Sequence, residues 1–276
     1  MHDNVLVYRG FRYLKIAAIA VLVSIVAYAV NPTIGPANGG TWLGYTLGTI
    51  GALLIVWLMW FGIRKRRFGP GHVKLEDWLS AHVYLGLALI IVATLHTGFQ
   101  FGWNLHTLAY TLMMLVIASG AFGVFAYIRY PRLMTENRGG RTLEALLGQM
   151  ATLDSECRNV SMNLSDEISR EVIAAADNTR IGGSVRRQVS GRDPDCATAA
   201  ALAKLRQLAH HATGEQATNV RKLLALMSEK DSLVKLARRD VQLKALMDIW
   251  LYVHVPLSLA LLAALFAHIV SVFFYW

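Results

Sequence analysis

Four histidines form two pairs with the same spacing, and that spacing is suited to holding metal-centred groups at two depths. His82 and His96 are 14 residues apart, as are His254 and His268. On an α-helix, 14 residues rise about 21 Å and return to within about 40° of the starting direction. Each helix therefore carries two imidazoles on one face, toward opposite sides of a hydrocarbon layer about 30 Å thick. Two such helices side by side offer two axial ligand pairs, the arrangement that two bis-histidine haems require.

Both histidine pairs lie in apolar segments that are long enough to cross a membrane. Hydrophobic residues make up 55% of the 276 positions and charged residues only 16%, a composition typical of membrane proteins. Transmembrane helices are predicted at 13–30, 42–63, 79–98, 105–128 and 249–276. The predicted fold is all-α: a polytopic membrane protein with five transmembrane helices, a di-haem helix bundle and a cytoplasmic helical insertion.

The distribution of the basic residues predicts the orientation of these helices. Lys and Arg occur around the start of the first segment, in the 64–74 connection and from Arg129 to 244, whereas connections 31–41 and 99–104 carry no charge. By the positive-inside rule the N-terminus is cytoplasmic and the C-terminus periplasmic. We expect a multi-pass protein of the bacterial inner membrane whose net charge of +9 contacts membrane lipid, with no nucleic-acid partner. A cleaved signal peptide is the alternative for the first segment, and it would leave both histidine pairs intact.

The predicted domains are 1–130 with four transmembrane helices, 131–247 as a cytoplasmic helical domain, and 248–276 as the fifth helix, which completes the haem bundle. Within the cytoplasmic part, helices are predicted at 143–153, 166–176, 197–211 and 218–246. The last of these has no Pro or Gly before Pro256 and is expected to continue into the final span. Cys157 and Cys196 lack CxxC context, so we expect ordinary reduced thiols. The insertion also lacks the motifs of flavin, nicotinamide and iron–sulfur modules.

The main alternative for the histidines is that they are buried and bonded to helix carbonyls or water. Four of them in two equally spaced pairs disfavour it, because each unpaired polar group in lipid is costly. Ion transport is a second alternative, but pumps usually need a carboxylate or Arg within the bilayer, and 79–98 and 249–276 contain none. His106, at the outer start of the fourth span, could contact a haem propionate or a quinone, although an interfacial histidine without a special role is favoured.

Small residues near the histidines allow either a flat porphyrin or another helix to approach the backbone. These glycines are Gly44, Gly48, Gly51, Gly86, Gly98, Gly120 and Gly123. Close helix packing is at least as good an explanation for them as haem contact.

Topology predicts how the histidines pair. With the insertion cytoplasmic, the third and fifth helices run in the same direction, so histidines at equal depth face each other. His82 and His254 then form the inner pair, and His96 and His268 form the outer pair. These four residues are the predicted cofactor-binding and iron-ligating residues, and the expected cofactors are two haem b groups.

The paired histidines, 14 residues apart on the third and fifth spans, resemble the ferric-reductase-like transmembrane and cytochrome b superfamily. The resemblance covers the spans and not 132–246. It implies that His82, His96, His254 and His268 are haem ligands. Because no further span or FAD- and NADPH-binding domain follows 276, we expect electrons to arrive from another protein.

The sequence therefore predicts transmembrane electron transfer through two bis-histidine b-type haems, as the membrane subunit of a larger redox system. The expected partners are a cytoplasmic reductase or iron–sulfur or flavoprotein subunit, and a periplasmic cytochrome or quinone. Two alternatives remain open: a quinol- or ferric-reducing oxidoreductase with its own substrate site, and a non-redox membrane scaffold or sensor.

Overall fold

The computed structural model describes residues 5–32, 37–66, 75–210 and 213–274, and within these ranges the chain is helical and contains no β-strand. After a short 3₁₀ turn, the helices are α1 Tyr8–Val30, α2 Trp42–Arg66, α3 Leu75–Thr97, α4 Leu105–Asn137, α5 Leu143–Ser161, α6 Asp166–Asn178, α7 Val185–Ser190, α8 Ala197–Ala209 and α9 Gly214–Phe274. The basic positions Arg67 and Lys74, and the final aromatic residue Trp276, lie outside the described residues.

Five of the described helices, α1 to α4 and α9, are long and apolar enough to cross a membrane. This confirms the all-α fold with five membrane-spanning candidates. In α9 only the C-terminal part is apolar, as predicted from the composition of 249–276.

Helices α1, α2 and α3, the first part of α4 and the last part of α9 form one compact unit, Met1–Val124 together with Trp250–Trp276. Within it α3 packs against both α1 and α2. One buried cluster contains Leu58 of α2, Leu89 of α3, Met113 of α4 and Leu261 of α9, so the two histidine-bearing helices share an apolar core. That shared core fixes the rotation of α3 and α9 and so determines which way their imidazoles face.

Helix α4 continues past the predicted span 105–128 and ends only at Asn137, with Pro131 inside it. Proline lacks an N–H, so the Tyr127 carbonyl loses its helical bond, but the proline φ itself is compatible with a helix. The hydroxyl of Thr135 donates to the Pro131 carbonyl at 3.0 Å. The helix stops where Gly139 and Gly140 adopt positive φ angles of 58° and 79°.

Helix α9 is continuous for 61 residues and includes Pro256. The expectation that the last helix of the insertion runs on into the final span is therefore confirmed. The N-terminal part of α9 belongs to the second compact unit, and its C-terminal part carries His254 and His268.

The second unit, Phe125–Ile249, has its own hydrophobic core and contains the predicted insertion 131–247. Leu223 and Met227 of α9 are fully buried against residues of α5, α6 and α8. Cys157 is buried in this core and forms no disulfide, as is true of Cys196. Burial, helped by the nearby Asp154 carboxylate, raises the pKa of the Cys157 thiol to about 11, so this thiol stays protonated and unreactive near neutral pH.

A buried charge pair ties this core together. Lys230 of α9 is 2% exposed and forms an ion pair with Asp154 of α5. Its ammonium group also donates to the Ala175 carbonyl of α6 at 3.0 Å. The bonds to Asp154 and Ala175 offset part of the free-energy cost of removing the Lys230 charge from water. Through them this one side chain links α9 to α5 and α6.

Candidate functional site

The outer histidine pair is brought together by α3 and α9. The ring centroids of His96 and His268 are 6.1 Å apart, and their planes are nearly perpendicular, at 87°. Two imidazole nitrogens bound in line to one metal ion, at about 2.0 Å each, place the ring centroids roughly 6 Å apart. The separation of these two side chains is therefore suited to an axial ligand pair.

The proton on His96 is located by its hydrogen bond. Its Nδ1 lies 2.8 Å from the Gly44 carbonyl oxygen of α2. A carbonyl can only accept, so Nδ1 carries the proton and Nε2 keeps its lone pair. Metal-binding histidines commonly use one ring nitrogen for the metal and donate the other N–H to a carbonyl or carboxylate. His96 has the tautomer that this arrangement needs.

Glycines make room for the His96 ring. A Cβ atom built on Gly48 would lie 2.7 Å from Cε1 of His96, and one on Gly39 would lie 3.1 Å from the same atom. A Cβ on Gly51 would meet only Leu89 Cδ1 at 3.6 Å, an ordinary contact. Of the glycines on α2, Gly48 is thus the one at which the space for a side chain is occupied by the imidazole of His96.

His106 of α4 is a further residue of the outer site, and sequence reasoning favoured no role for it. Its Nδ1 lies 2.5 Å from Nδ1 of His268, and the two ring planes cross at 89°. The signal in the sequence was its position: His106 begins α4 at the end where α9 carries His268. This position indicates the depth of His106 in the membrane. It does not indicate the rotation of α4 about its axis, which decides whether the side chain reaches His268.

The inner site contains His254, held against α4. Its Nδ1 is 3.3 Å from the Ser119 hydroxyl, and the indole N–H of Trp250, one turn earlier, donates to the Ser119 carbonyl at 2.8 Å. A Cβ on Gly120 would touch Cε1 of His254 at 3.6 Å, whereas one on Gly123 would overlap the Trp250 ring. The predicted small residues of α4 therefore accept the side chains of α9.

His82 completes the inner site from α3. Its ring packs on Phe61 with a centroid distance of 5.0 Å, and it is close enough to His254 for the two imidazoles to interact electrostatically. The Leu58 carbonyl approaches the ring without meeting hydrogen-bond geometry, so the buried Nδ1 has no partner within the described part of the chain.

Two more buried polar atoms near His82 lack a partner among the described residues: Nε1 of Trp78 and the Ser80 hydroxyl. Trp78 stacks on Trp57 with the ring centroids 5.0 Å apart and the planes 15° apart, which fixes the indole. Each unsatisfied buried donor costs about 1–3 kcal/mol. Trp78 and Ser80 place two such donors within three residues of α3, and a bound group with acceptor atoms would relieve both.

The outer histidines His96 and His268 are in ring contact, and His106 joins them. The inner histidines His82 and His254 come within electrostatic range of each other. Within the described ranges no group of three or more His, Cys, Asp or Glu side chains is arranged to hold a metal ion. A haem supplies four ligands to its iron from the porphyrin and needs only one or two from the protein. The donor set of two imidazoles at each depth fits a haem better than a metal ion bound by protein alone.

Comparison with known protein families, curated proteins and solved structures finds no match. The resemblance to the ferric-reductase-like and cytochrome b superfamily therefore stays a prediction that rests on the histidine spacing.

The close contact at Gly48 yields a test of the site geometry. We expect Gly48→Ala to displace the His96 ring and break its bond to Gly44, lowering stability by about 1–3 kcal/mol. Gly51→Ala is the matched control on the same helix and should be neutral or slightly stabilising, because alanine favours the helix. Thermal unfolding of the full-length protein in detergent measures both. Equal midpoints for the two variants would contradict the packing described here.

Proposed function

We propose that this protein is a di-haem b-type cytochrome that conducts electrons across a membrane. His82 and His254 bind the inner haem iron, and His96 and His268 bind the outer one. The observation that carries the proposal is the outer pair: two imidazoles at the separation of axial ligands, with Nδ1 of His96 bonded to the Gly44 carbonyl. This bond leaves the lone pair of the neutral His96 ring on Nε2, the atom that would bind a metal.

A haem held by two histidines is coordinatively saturated and supplies one-electron chemistry rather than oxygen binding. The chain's own residues would set the distance and the surroundings. The 14-residue spacing places the two levels of histidines about 21 Å apart along the helices. The apolar side chains of α2, α3, α4 and α9 between the two sites exclude water.

Trp78 supports the inner haem in this proposal. It lies one helical turn before His82 on the same face of α3, and its buried indole N–H has no acceptor in the described residues. A haem propionate is a strong hydrogen-bond acceptor, and a charged acceptor gives a stronger bond than a neutral one. We therefore assign Trp78 as a propionate donor.

Charge distribution supports the orientation and the partners. The basic residues of the 64–74 connection and of the insertion support a cytoplasmic N-terminus and a periplasmic C-terminus in a bacterial inner membrane. Electrons then enter from a cytoplasmic reductase, iron–sulfur or flavoprotein subunit that docks on Phe125–Ile249. They leave to a periplasmic cytochrome or a quinone.

A quinol- or ferric-reducing enzyme with its own substrate site is the second candidate. A cavity of about 120 Å³ lies beside Gly44, whose carbonyl binds His96, and is lined by polar atoms of Asn38 and Thr41 among others. Small-molecule sites usually measure about 300–1,000 Å³. The small volume favours the electron conduit over an enzyme with a substrate pocket at this position.

An optical spectrum of the purified full-length protein tests the proposal. We expect a sharp b-type α-band on reduction and about two haems per chain by pyridine haemochrome assay. Well-folded protein that stays colourless after haem supplementation would overturn the proposal and favour the scaffold or sensor alternative.

Single substitutions test the pairing. We expect His82→Ala and His254→Ala each to remove the same haem, because each leaves one iron with a single protein ligand. His96→Ala and His268→Ala should each remove the other haem, and His210→Ala, in the second unit, should remove neither. Haem content and redox potentiometry of each variant provide the readout. Loss of different haems from the His82 and His254 variants would refute pairing by depth.

Trp78→Phe tests the propionate donor. The ring stack on Trp57 is kept and only the N–H is removed, so we expect the midpoint potential of the inner haem to shift and its retention to weaken. The outer haem of the same sample is the internal control. If the substitution instead raises stability and leaves both haems unchanged, Trp78 is an unsatisfied buried donor and does not bind a haem propionate.

A further inference from the structure

We propose that His106 is a positioning residue for the outer haem: it accepts the Nδ1 proton of His268 and so fixes His268 in the tautomer whose Nε2 binds iron. The inference rests on the proposed function and adds to it a residue outside the two predicted pairs. His106 lies on α4, which carries none of the four proposed iron ligands.

The contact between the two rings is a hydrogen bond and not a metal bridge. Their Nδ1 atoms are 2.5 Å apart. Two nitrogens bound to one metal ion on opposite sides need about 4 Å between them, given bonds of about 2.0 Å each. Iron therefore cannot sit between His106 and His268, whereas the 6.1 Å centroid separation of His96 and His268 leaves room for it. His96 is the axial partner, and His106 serves the other nitrogen.

Iron binding decides which ring donates. One proton lies between the two Nδ1 atoms, so one ring donates and the other accepts. If His106 donated, neutral His268 would carry its proton on Nε2 and could not bind iron through that atom. With iron bound at Nε2, His268 must donate, and His106 must accept while holding its own proton on Nε2. As an exposed residue, His106 can keep that N–H solvated.

The two proposed outer ligands then have the same hydrogen-bonding pattern. His96 donates its Nδ1 proton to the Gly44 carbonyl of α2, and His268 donates its Nδ1 proton to His106 of α4. The perpendicular planes of His106 and His268 suit donation along the plane of one ring to the lone pair of the other.

His106, the proposed acceptor, lies in a part of α4 whose backbone is held by hydrogen bonds. The side chain of Asn104 accepts a hydrogen bond from the Thr107 backbone N–H at 2.9 Å and caps the first turn of α4. The Thr107 hydroxyl in turn accepts from the Gly102 backbone N–H at 3.1 Å. His106 lies between these capped residues, so its backbone is fixed where α4 begins.

The expected effect follows from the donor role of His268. A ligand that gives up part of its Nδ1 proton becomes a stronger base and stabilises ferric iron. Removing the acceptor should favour ferrous iron by about tenfold, which raises the midpoint potential of the outer haem by about 59 mV for a one-electron couple. The affinity for the outer haem should fall by roughly 10- to 100-fold, the usual loss of metal affinity when the hydrogen-bond partner of a metal-binding histidine is removed.

The experiment compares His106→Phe with His106→Gln in the full-length protein, by redox potentiometry of both haems and by haem content. The phenylalanine removes the acceptor and keeps a ring, while the glutamine carbonyl can still accept from Nδ1 of His268. We expect the outer haem alone to shift in His106→Phe and to return toward its original potential in His106→Gln. His210→Phe, in the second unit, is the control, and the outer haem is identified by its absence from His268→Ala.

Three results would overturn the inference. Two haems with unchanged midpoint potentials and content in His106→Phe would remove the positioning role and leave the proposed function intact. Equal loss of both haems from the Phe and Gln variants would show a structural role at the start of α4. A wild-type protein without haem would overturn the proposed function and this inference together.

Discussion

An imidazole inside a hydrocarbon layer is stabilised by any hydrogen-bond partner that the protein provides, because lipid tails offer none. That interaction organises the centre of this molecule. The Gly44 carbonyl serves His96, the Ser119 hydroxyl lies against His254, and His106 serves His268. The helices that contribute no proposed iron ligand thus orient the helices that do. They contact one side of three of the four rings, and the other side is where the proposed haems would bind.

The same interaction explains where small residues occur. A carbonyl oxygen can reach an imidazole on a neighbouring helix only when the backbones come close, and a side chain at Gly48 would keep them apart, whereas one at Gly120 would be in ordinary contact with His254. The sequence pattern allowed either a porphyrin or a helix at these glycines. In the structure the neighbouring atoms belong to His96 and His254, so the glycines govern how the rings are seated.

Much of this architecture could be predicted from the sequence, because it depends on composition along single helices. Apolar length predicted the five spans, and the lack of a helix breaker predicted that α9 would continue into the last one. Contacts between helices could not be predicted in the same way. The bond from His106 to His268 depends on how α4 is rotated, and Pro131 ends no helix because a helix tolerates one missing bond. The Nε1 of Trp78, which has no hydrogen-bond partner among the described residues, likewise becomes visible only once α2 and α3 are packed.

The separation of α3 and α9 along the chain imposes an order on biosynthesis. His96 is synthesised long before His268, with the whole of Phe125–Ile249 between them. At about 5–20 residues per second, the ribosome needs roughly 10–30 s to cover that interval. During this time the α3 imidazoles have no partner from α9, while the intervening unit has already been made. Pairing of the histidines is therefore one of the last steps of assembly, and a chain truncated before α9 would enter the membrane with half of its histidine site missing.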